Sequence, residues 1–268
     1  MTTLMAIGGA INADNPEVLR EFVRRAGEGQ ARILVLPQAS SMAETGGAYA
    51  RAFLELGAGK ADVLEFRRRP EAGSVEQIAL IREASGIFIT GGTQQRLSSL
   101  YGGTALEVAL VDAYRQGCVV GGTSAGAAIL SKVMIAYGKG GPTPREQIVQ
   151  FSRGFGFTER FVFDMHFRQR DRLGRLIYAV AAYPGALGIG VDEDTAAIVV
   201  DDELLTVCGS GAVTVLDGSQ LEATDLPEVE KRGPVAVSGL RLDILTAGCG
   251  YDWRTRKAMI PERALLVE

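Results

Sequence analysis

Through the first half of the chain, short apolar runs alternate with amphipathic stretches. Leu4–Ile7 predicts a strand that ends at Gly8-Gly9. Asn15-Pro16 then opens a helix with Val18, Leu19, Phe22, Val23 and Ala26 on one face and Gly27 as its stop. Ile33–Leu36 is a second strand closed by Pro37, followed by a helix over Met42–Leu56 and a third strand over Asp62–Phe66. Ser74 with Gln77 has capping-box spacing and starts a helix that runs to about Ala84. The strand Ile87–Thr90 ends at Gly91-Gly92, Thr104 with Glu107 caps a helix to Gly117, and Cys118–Gly121 is the next strand.

Strand and helix in strict alternation with short turns predict a parallel sheet covered on both faces. Function in such folds gathers beyond the carboxyl ends of the strands. Three strands end in paired glycines, Gly8-Gly9, Gly91-Gly92 and Gly121-Gly122, and chemistry is expected there. Beyond about Ser131 the texture changes. Gly138–Pro144 is a Gly/Pro-rich loop and Arg168–Ala182 reads as helix. From Leu187 the chain is β-rich, with strands at Leu187–Val191, Ala196–Val200, Leu204–Cys208 and Val213–Leu216. No linker or repeat divides the 268 residues, so one α/β domain with a β-rich C-terminal portion from about residue 187 is expected.

Composition narrows the function classes. With 47% hydrophobic and 22% charged residues the chain is ordinary soluble material, not a disordered or collagen-like one. A net charge of −4 argues against nucleic acid held on a broad basic surface. Cys118, Cys208 and Cys249 are sparse, odd in number and without metal-ligand spacing, which fits buried thiols in a reducing compartment. No metal, cofactor or membrane span is expected, and the location expected is cytoplasmic.

Gly122-Thr-Ser-Ala-Gly126 matches G-x-S-x-G at the predicted junction between strand Cys118–Gly121 and helix Ala125–Leu130. Such a turn strains the serine backbone and exposes its hydroxyl, and the N–H of Ala125 at the helix start suits a developing oxyanion. The same residues also suit a plain glycine-rich turn with Ser124 as N-cap. A serine nucleophile needs a base, and His166 is the one histidine in the sequence. A carboxylate to orient it could come from Asp192, Glu193 or Asp194, and residue chemistry alone leaves the three open. Arg168, Arg170, Arg172 and Arg175 follow His166 directly. They read either as guanidiniums for substrate carboxylates or as a solvated helix face.

Four ordered motifs carry a family resemblance: Thr90-Gly-Gly-Thr-Gln-Gln-Arg96, Gly121-Gly-Thr-Ser-Ala-Gly-Ala127, Asp164-Met-His-Phe167 with Arg170, Arg172 and Arg175, and Gly190-Val-Asp-Glu-Asp-Thr195. Over about the first 200 residues the chain resembles the cyanophycinases, within the serine peptidase family that also holds the α-aspartyl dipeptidases. The resemblance implies a doubly wound, class I glutamine-amidotransferase-like (flavodoxin-like) α/β fold, a homodimer and a Ser-His-Glu triad. It carries nucleophile onto Ser124, base onto His166 and orienting acid onto Glu193, with oxyanion donors at Ala125 and Gly92. Gln94, Asp164, Met165, Arg170, Arg172 and Arg175 fall on substrate-pocket positions. Met165 stands where the family usually has Gln, so an amide donor and acceptor become a thioether. Gly8–Asn12 also lacks the acidic pair associated with the family's first strand-end turn.

The implied activity is serine exopeptidase action on cyanophycin, or a related β-aspartyl or acidic peptide, releasing β-Asp-Arg dipeptides through an acyl-enzyme on Ser124. An α-aspartyl or isoaspartyl dipeptidase is the nearest alternative. A non-catalytic, Arg-lined binding module is a third, of a different class. An α/β-hydrolase esterase shares G-x-S-x-G but places its acid before its histidine, whereas Glu193 follows His166.

Overall fold

Strands that are apolar at every position need cover on both sides, and the chain supplies it. In the computed structural model, which describes residues 1–262, the first half forms β1 (Thr3–Ile7), α1 (Glu17–Ala26), β2 (Arg32–Leu36), α2 (Thr45–Glu55), β3 (Lys60–Val63), α3 (Val75–Glu83), β4 (Gly86–Ile89), α4 (Gln94–Tyr101), α5 (Ala105–Arg115), β5 (Val119–Thr123) and α6 (Ala125–Ala128). Then follow β6 (Val133–Gly138), β7 (Val149–Arg153), β8 (Phe161–Met165), α7 (Leu173–Ala182), β9 (Leu187–Val191), β10 (Thr195–Val200), β11 (Leu204–Gly209) and β12 (Ala212–Asp217). The chain closes with β13 (Ala223–Thr224), β14 (Val237–Ser238), β15 (Arg241–Thr246), β16 (Gly250–Asp252) and β17 (Lys257–Met259).

A nine-stranded sheet has the order β17-β16-β11-β10-β1-β5-β4-β2-β3. Its β1-β5-β4-β2-β3 part is parallel, and the strands on the β10 side are antiparallel. The period of two sorts the strand residues between two cores. Met5 and Ile7 of β1, with Ile33 and Val35 of β2, pack under α1 and α2 through Val18, Phe22, Val23 and Phe53. Leu4, Ala6, Leu34 and Leu36 face the other way. That second face is covered by α3, α4 and α5 and by a four-stranded sheet, β15-β12-β9-β8. Phe161, Phe163, Ile189, Val213, Val215 and Leu245 of the smaller sheet share one core with Leu4 and Ile87 of the larger.

Strands β8 and β9 are parallel, joined across α7, with Met165 opposite Val191. The next strand, β10, leaves for the large sheet, so residues 192–194 bridge the two sheets. This division was not visible in the sequence, where Leu187–Leu216 reads as one run of strands. Two further departures matter for the site. The predicted helix Arg168–Ala182 is interrupted: residues 168–170 form a 3-10 turn, Asp171 is left-handed at φ 47°, and α7 starts only at Leu173. A β6–β7 hairpin and helix α4, neither predicted, form the walls around the glycine-rich strand ends.

Candidate functional site

Ser124 sits between β5 and α6 with φ 52° and ψ −111°, a conformation that L-residues rarely adopt. The two outer glycines of G-x-S-x-G make the turn possible. A Cβ on Gly122 would fall 2.1 Å from the Gly126 carbonyl oxygen, and one on Gly126 would fall 2.1 Å from that of Ile89. The chain therefore doubles back closely enough to project the serine side chain past the strand end.

His166 follows β8 at φ 49°, and residues 192–194 follow β9 at the same level of the sheet. The register pairing of Met165 with Val191 is what makes the histidine and the acidic run neighbours. Ser124 Oγ and His166 Nε2 lie 2.9 Å apart, and His166 Nδ1 is 2.7 Å from Glu193 Oε1. The other two acids are engaged elsewhere. Buried Asp192 accepts the backbone N–H of Arg168 at 3.0 Å and of Ala212 at 3.2 Å, fastening the turn after β8 to β12. Asp194 accepts from the Asn12 N–H and the Ser210 hydroxyl. Of the three acids, Glu193 is the one whose carboxylate meets the imidazole.

The turn after β1 joins these pieces. The carbonyls of Ile7, Gly8 and Gly9 accept, in succession, the N–H of Ser124 at 2.9 Å, His166 at 2.9 Å and Asp194 at 2.8 Å. Gly9 packs against the imidazole so closely that a Cβ there would lie 2.2 Å from Cε1. Gln169 Oε1 accepts the N–H of Glu193 at 3.2 Å. The Gly8-Gly9 pair at the strand end was a sequence signal for this turn; nothing in the sequence pointed to Gln169.

Burial lowers the pKa of His166 below its usual value. The Glu193 carboxylate opposes that shift, while the Arg170 and Arg172 guanidiniums reinforce it. The net lowering favours the neutral imidazole.

A cleft of ≈ 290 Å³ opens over Ser124 and is lined by Gly92, Gln94, Ala125, Met165, His166, Arg170, Arg172 and Arg175, among others. Ile135, Ala136, Tyr137 and Gly138 of β6 complete the wall. Gln94 anchors that wall by donating from Nε2 to the carbonyls of Ile135 at 3.0 Å and Ala136 at 2.8 Å. The N–H groups of Gly92 and Ala125 have no carbonyl partner among the described residues. Gly92 has φ 141°, and a Cβ there would strike the Ala39 carbonyl oxygen at 2.1 Å.

The three arginines reach one cleft because the 3-10 turn and left-handed Asp171 replace regular helix between 168 and 172. Their environments differ sharply. Arg170 is exposed. Arg172 is half-buried, donates to Asp164 and to the Met165 carbonyl, and has its pKa lowered by burial to about 10. Arg175 is buried and grips Asp164 with Nε at 2.6 Å and with Nη2. Asp164 itself is wholly buried and does not line the cleft. Its expected contact with substrate is therefore replaced by an ionic clamp that holds Arg172 and Arg175 from beneath.

Fold and site together have the form of a hydrolase, with hydroxyl, imidazole and carboxylate in series at the mouth of the cleft. The chain belongs to peptidase family S51, whose model matches residues 4–207. It is 42% identical over 250 residues to a cyanophycinase from Trichormus variabilis (strain ATCC 29413 / PCC 7937), an alignment covering 92% of this chain and 84% of that one. A cyanophycinase from Synechococcus elongatus is 38% identical over 257 residues, with 95% and 80% covered. The crystal structure of a peptidase from an acI-B1 Actinobacterium superposes with a TM-score of 0.67 at 20% identity, over 94% of this chain and 97% of the other, and so shares the fold. No helix of the described residues is long and apolar enough to cross a membrane.

Proposed function

We propose that this peptidase is a serine exopeptidase that degrades cyanophycin, multi-L-arginyl-poly-L-aspartate, to β-Asp-Arg dipeptides. The observation that carries the reading is the Ser124–His166–Glu193 series opening into a cleft whose far wall is cationic. Ser124 Oγ attacks the scissile carbonyl carbon while its proton passes to His166 Nε2. Glu193 holds the Nδ1–H tautomer and stabilises the imidazolium that forms. Negative charge on the carbonyl oxygen is met by the N–H groups of Ala125 and Gly92. His166 then returns the proton to the departing amine, and a water molecule, activated by the same imidazole, hydrolyses the acyl-enzyme and restores the serine. Arg170 and Arg172 receive substrate carboxylates, a role supported by their place in the cleft lining, and Arg175 completes the wall that Asp164 holds.

The strand order supports a glutamine-amidotransferase-like core. The run β3-β2-β4-β5 follows the 2-1-3-4 order of flavodoxin-like sheets, with β1 in the place of the fifth strand. A core common to both sheets supports a single domain across the described residues. Cys118, Cys208 and Cys249 are all free, as suits a reducing cytoplasm. A homodimer belongs to the same reading, and analytical ultracentrifugation tests it.

Incubation with cyanophycin, with isolated β-aspartyl-arginine peptides and with α-aspartyl peptides, followed by mass spectrometry, tests the substrate. The expected product is the β-Asp-Arg dipeptide. Cleavage confined to α-aspartyl peptides would overturn the assignment.

A further inference from the structure

A second groove, of ≈ 490 Å³, lies beside the Ser124 cleft, and Tyr137 and Gly138 line both. Residues 139–140 and 145–150 and the pair Lys231-Arg232 form the rest of its lining. The two segments are fastened together: Glu146 N–H donates to the Gly233 carbonyl at 2.9 Å, Val235 N–H to that of Pro144 at 2.9 Å, and Arg145 Nη1 to that of Arg232 at 3.4 Å. The groove is thus built by backbone pairing between parts of the chain some 90 residues apart, here 146 and 233.

Its charge is opposite in sign to that of the whole chain. Lys139, Arg145, Lys231 and Arg232 line it against one carboxylate, Glu146, so four cations less one anion leave a local excess of three. The whole chain carries −4. Among the described residues none of these four cations is in an ion pair, and Glu146 is turned to its own wall, where Oε2 accepts the Arg232 N–H at 3.2 Å. Four exposed, unpaired cations converging on one concavity make a receptor for carboxylates.

The segment between groove and cleft is also tied to the arginine cluster. Gly141 N–H donates to the Asp171 carbonyl, Gly174 N–H donates to the Gly141 carbonyl at 2.9 Å, and a Cβ on Gly140 would strike the Arg170 carbonyl oxygen. Tyr137 and Gly138 thus form a rim common to the two concavities, with Arg170 lining one and Lys139 the other.

We propose that this groove is a polymer-holding subsite: Lys139, Arg145, Lys231 and Arg232 bind the arginine α-carboxylates of repeat units beyond the one being cleaved. In an arginylated polyaspartate every repeat carries such a carboxylate, so a chain seated at Ser124 presents a row of them. The inference rests on the substrate reading above and extends it from the scissile unit to its neighbours. A single-unit β-aspartyl-arginine peptide held at Ser124 has no further repeat unit to place in the groove.

The experiment compares wild type with Lys139→Glu/Lys231→Glu, two exposed positions outside the Ser124 cleft. The variant is expected to raise KM for the polymer about five- to tenfold, to leave kcat unchanged, and to leave both constants unchanged on a single-unit β-aspartyl-arginine peptide. The polymer effect should shrink as salt is raised to 0.5 M, by roughly the shortening of the Debye length. An unchanged polymer KM, or an equal rise on the short peptide, overturns the subsite. Co-sedimentation with insoluble cyanophycin, done in a Ser124→Ala background, reads the groove without turnover. Loss of pelleting on charge reversal supports the subsite even if wild type cleaves neither substrate, a result that would count against the substrate reading alone. Undiminished pelleting overturns the subsite.

Discussion

At the scale of single residues, like-charged neighbours have divided their labour by burial. Arg170, exposed and without an ionic partner among the described residues, is free to meet a substrate, whereas Arg175 is committed to Asp164. Arg170→Ala should raise KM for a β-aspartyl substrate about tenfold or more with little change in melting temperature, as loss of a charge-assisted hydrogen bond implies. Arg175→Ala strips a wholly buried carboxylate of its main partner and should cost about 3–5 kcal/mol of stability, read by urea denaturation. The acids divide likewise. Glu193→Gln should lower kcat by roughly 10²–10⁴ with the fold intact, while Asp192→Asn should weaken stability through its two backbone partners and touch kcat less. The imidazole must be neutral to take a proton, and burial lowers its pKa, so the acid limb of kcat/KM should fall at a lower pH than an ordinary imidazole would give. Arg170→Ala removes one cause of the depression and should move that acid limb to higher pH. Glu193→Gln removes the opposing carboxylate and should move it lower. A pH–rate profile of each variant reads both directions.

At the scale of elements, the paired glycines at strand ends were the most informative feature of the sequence. Gly9 backs the imidazole, Gly92 lines the cleft with an N–H that has no carbonyl partner among the described residues, and Gly122 lets the serine turn close. Gly9→Ala should therefore cut kcat more than tenfold while the protein still folds cooperatively, because the added methyl displaces the ring at 2.2 Å from Cε1. Single-turnover kinetics beside a thermal melt separates the two effects. Helices α1, α3 and α5 were legible because amphipathic spacing and caps coincide: Ser74 accepts the Gln77 N–H, and Thr104 that of Glu107. Hairpin β6–β7 was not legible. Only one face of β7 is covered, and β6 carries a bulge between Ile135 and Tyr137 that breaks its alternation. The arginine segment misled for a related reason. Arg168–Ala182 has a helical composition, but the break at Asp171 is imposed by tertiary contacts, Asp192 capturing the Arg168 N–H and Gly141 the Asp171 carbonyl. What lay in local spacing could be read; what lay in pairing between distant segments could not, and the choice of Glu193 as the acid facing His166 came from the family resemblance and not from residue chemistry.

At the scale of the whole molecule, the family match ends at residue 207, yet the core does not. Val213 and Val215 of β12 and Leu245 of β15 are fully buried against the same cluster that holds Leu4, Ile87 and Phe163. Strand β12 also pairs along the whole length of β9, the strand that delivers Glu193. A chain cut after Gly209 should fail to unfold cooperatively and should lose all activity, as circular dichroism melts and product assays would show; a sharp melt in the shortened chain would contradict this. The β-rich portion shares the core of the whole fold and, through β9, carries the acid that faces His166.

The turn after β1 offers three consecutive carbonyls to Ser124, His166 and Asp194, which come from β5, β8 and the crossing between the two sheets. Parts gathered from three remote stretches of chain thus share one template. A displacement of residues 7–9 carries all three along together, so their spacing survives motions that would scatter parts anchored separately. The exchange of their amide protons with deuterated solvent should then be governed by one opening event. The three amides should exchange with a common free energy, and Gly9→Ala should accelerate them as a group.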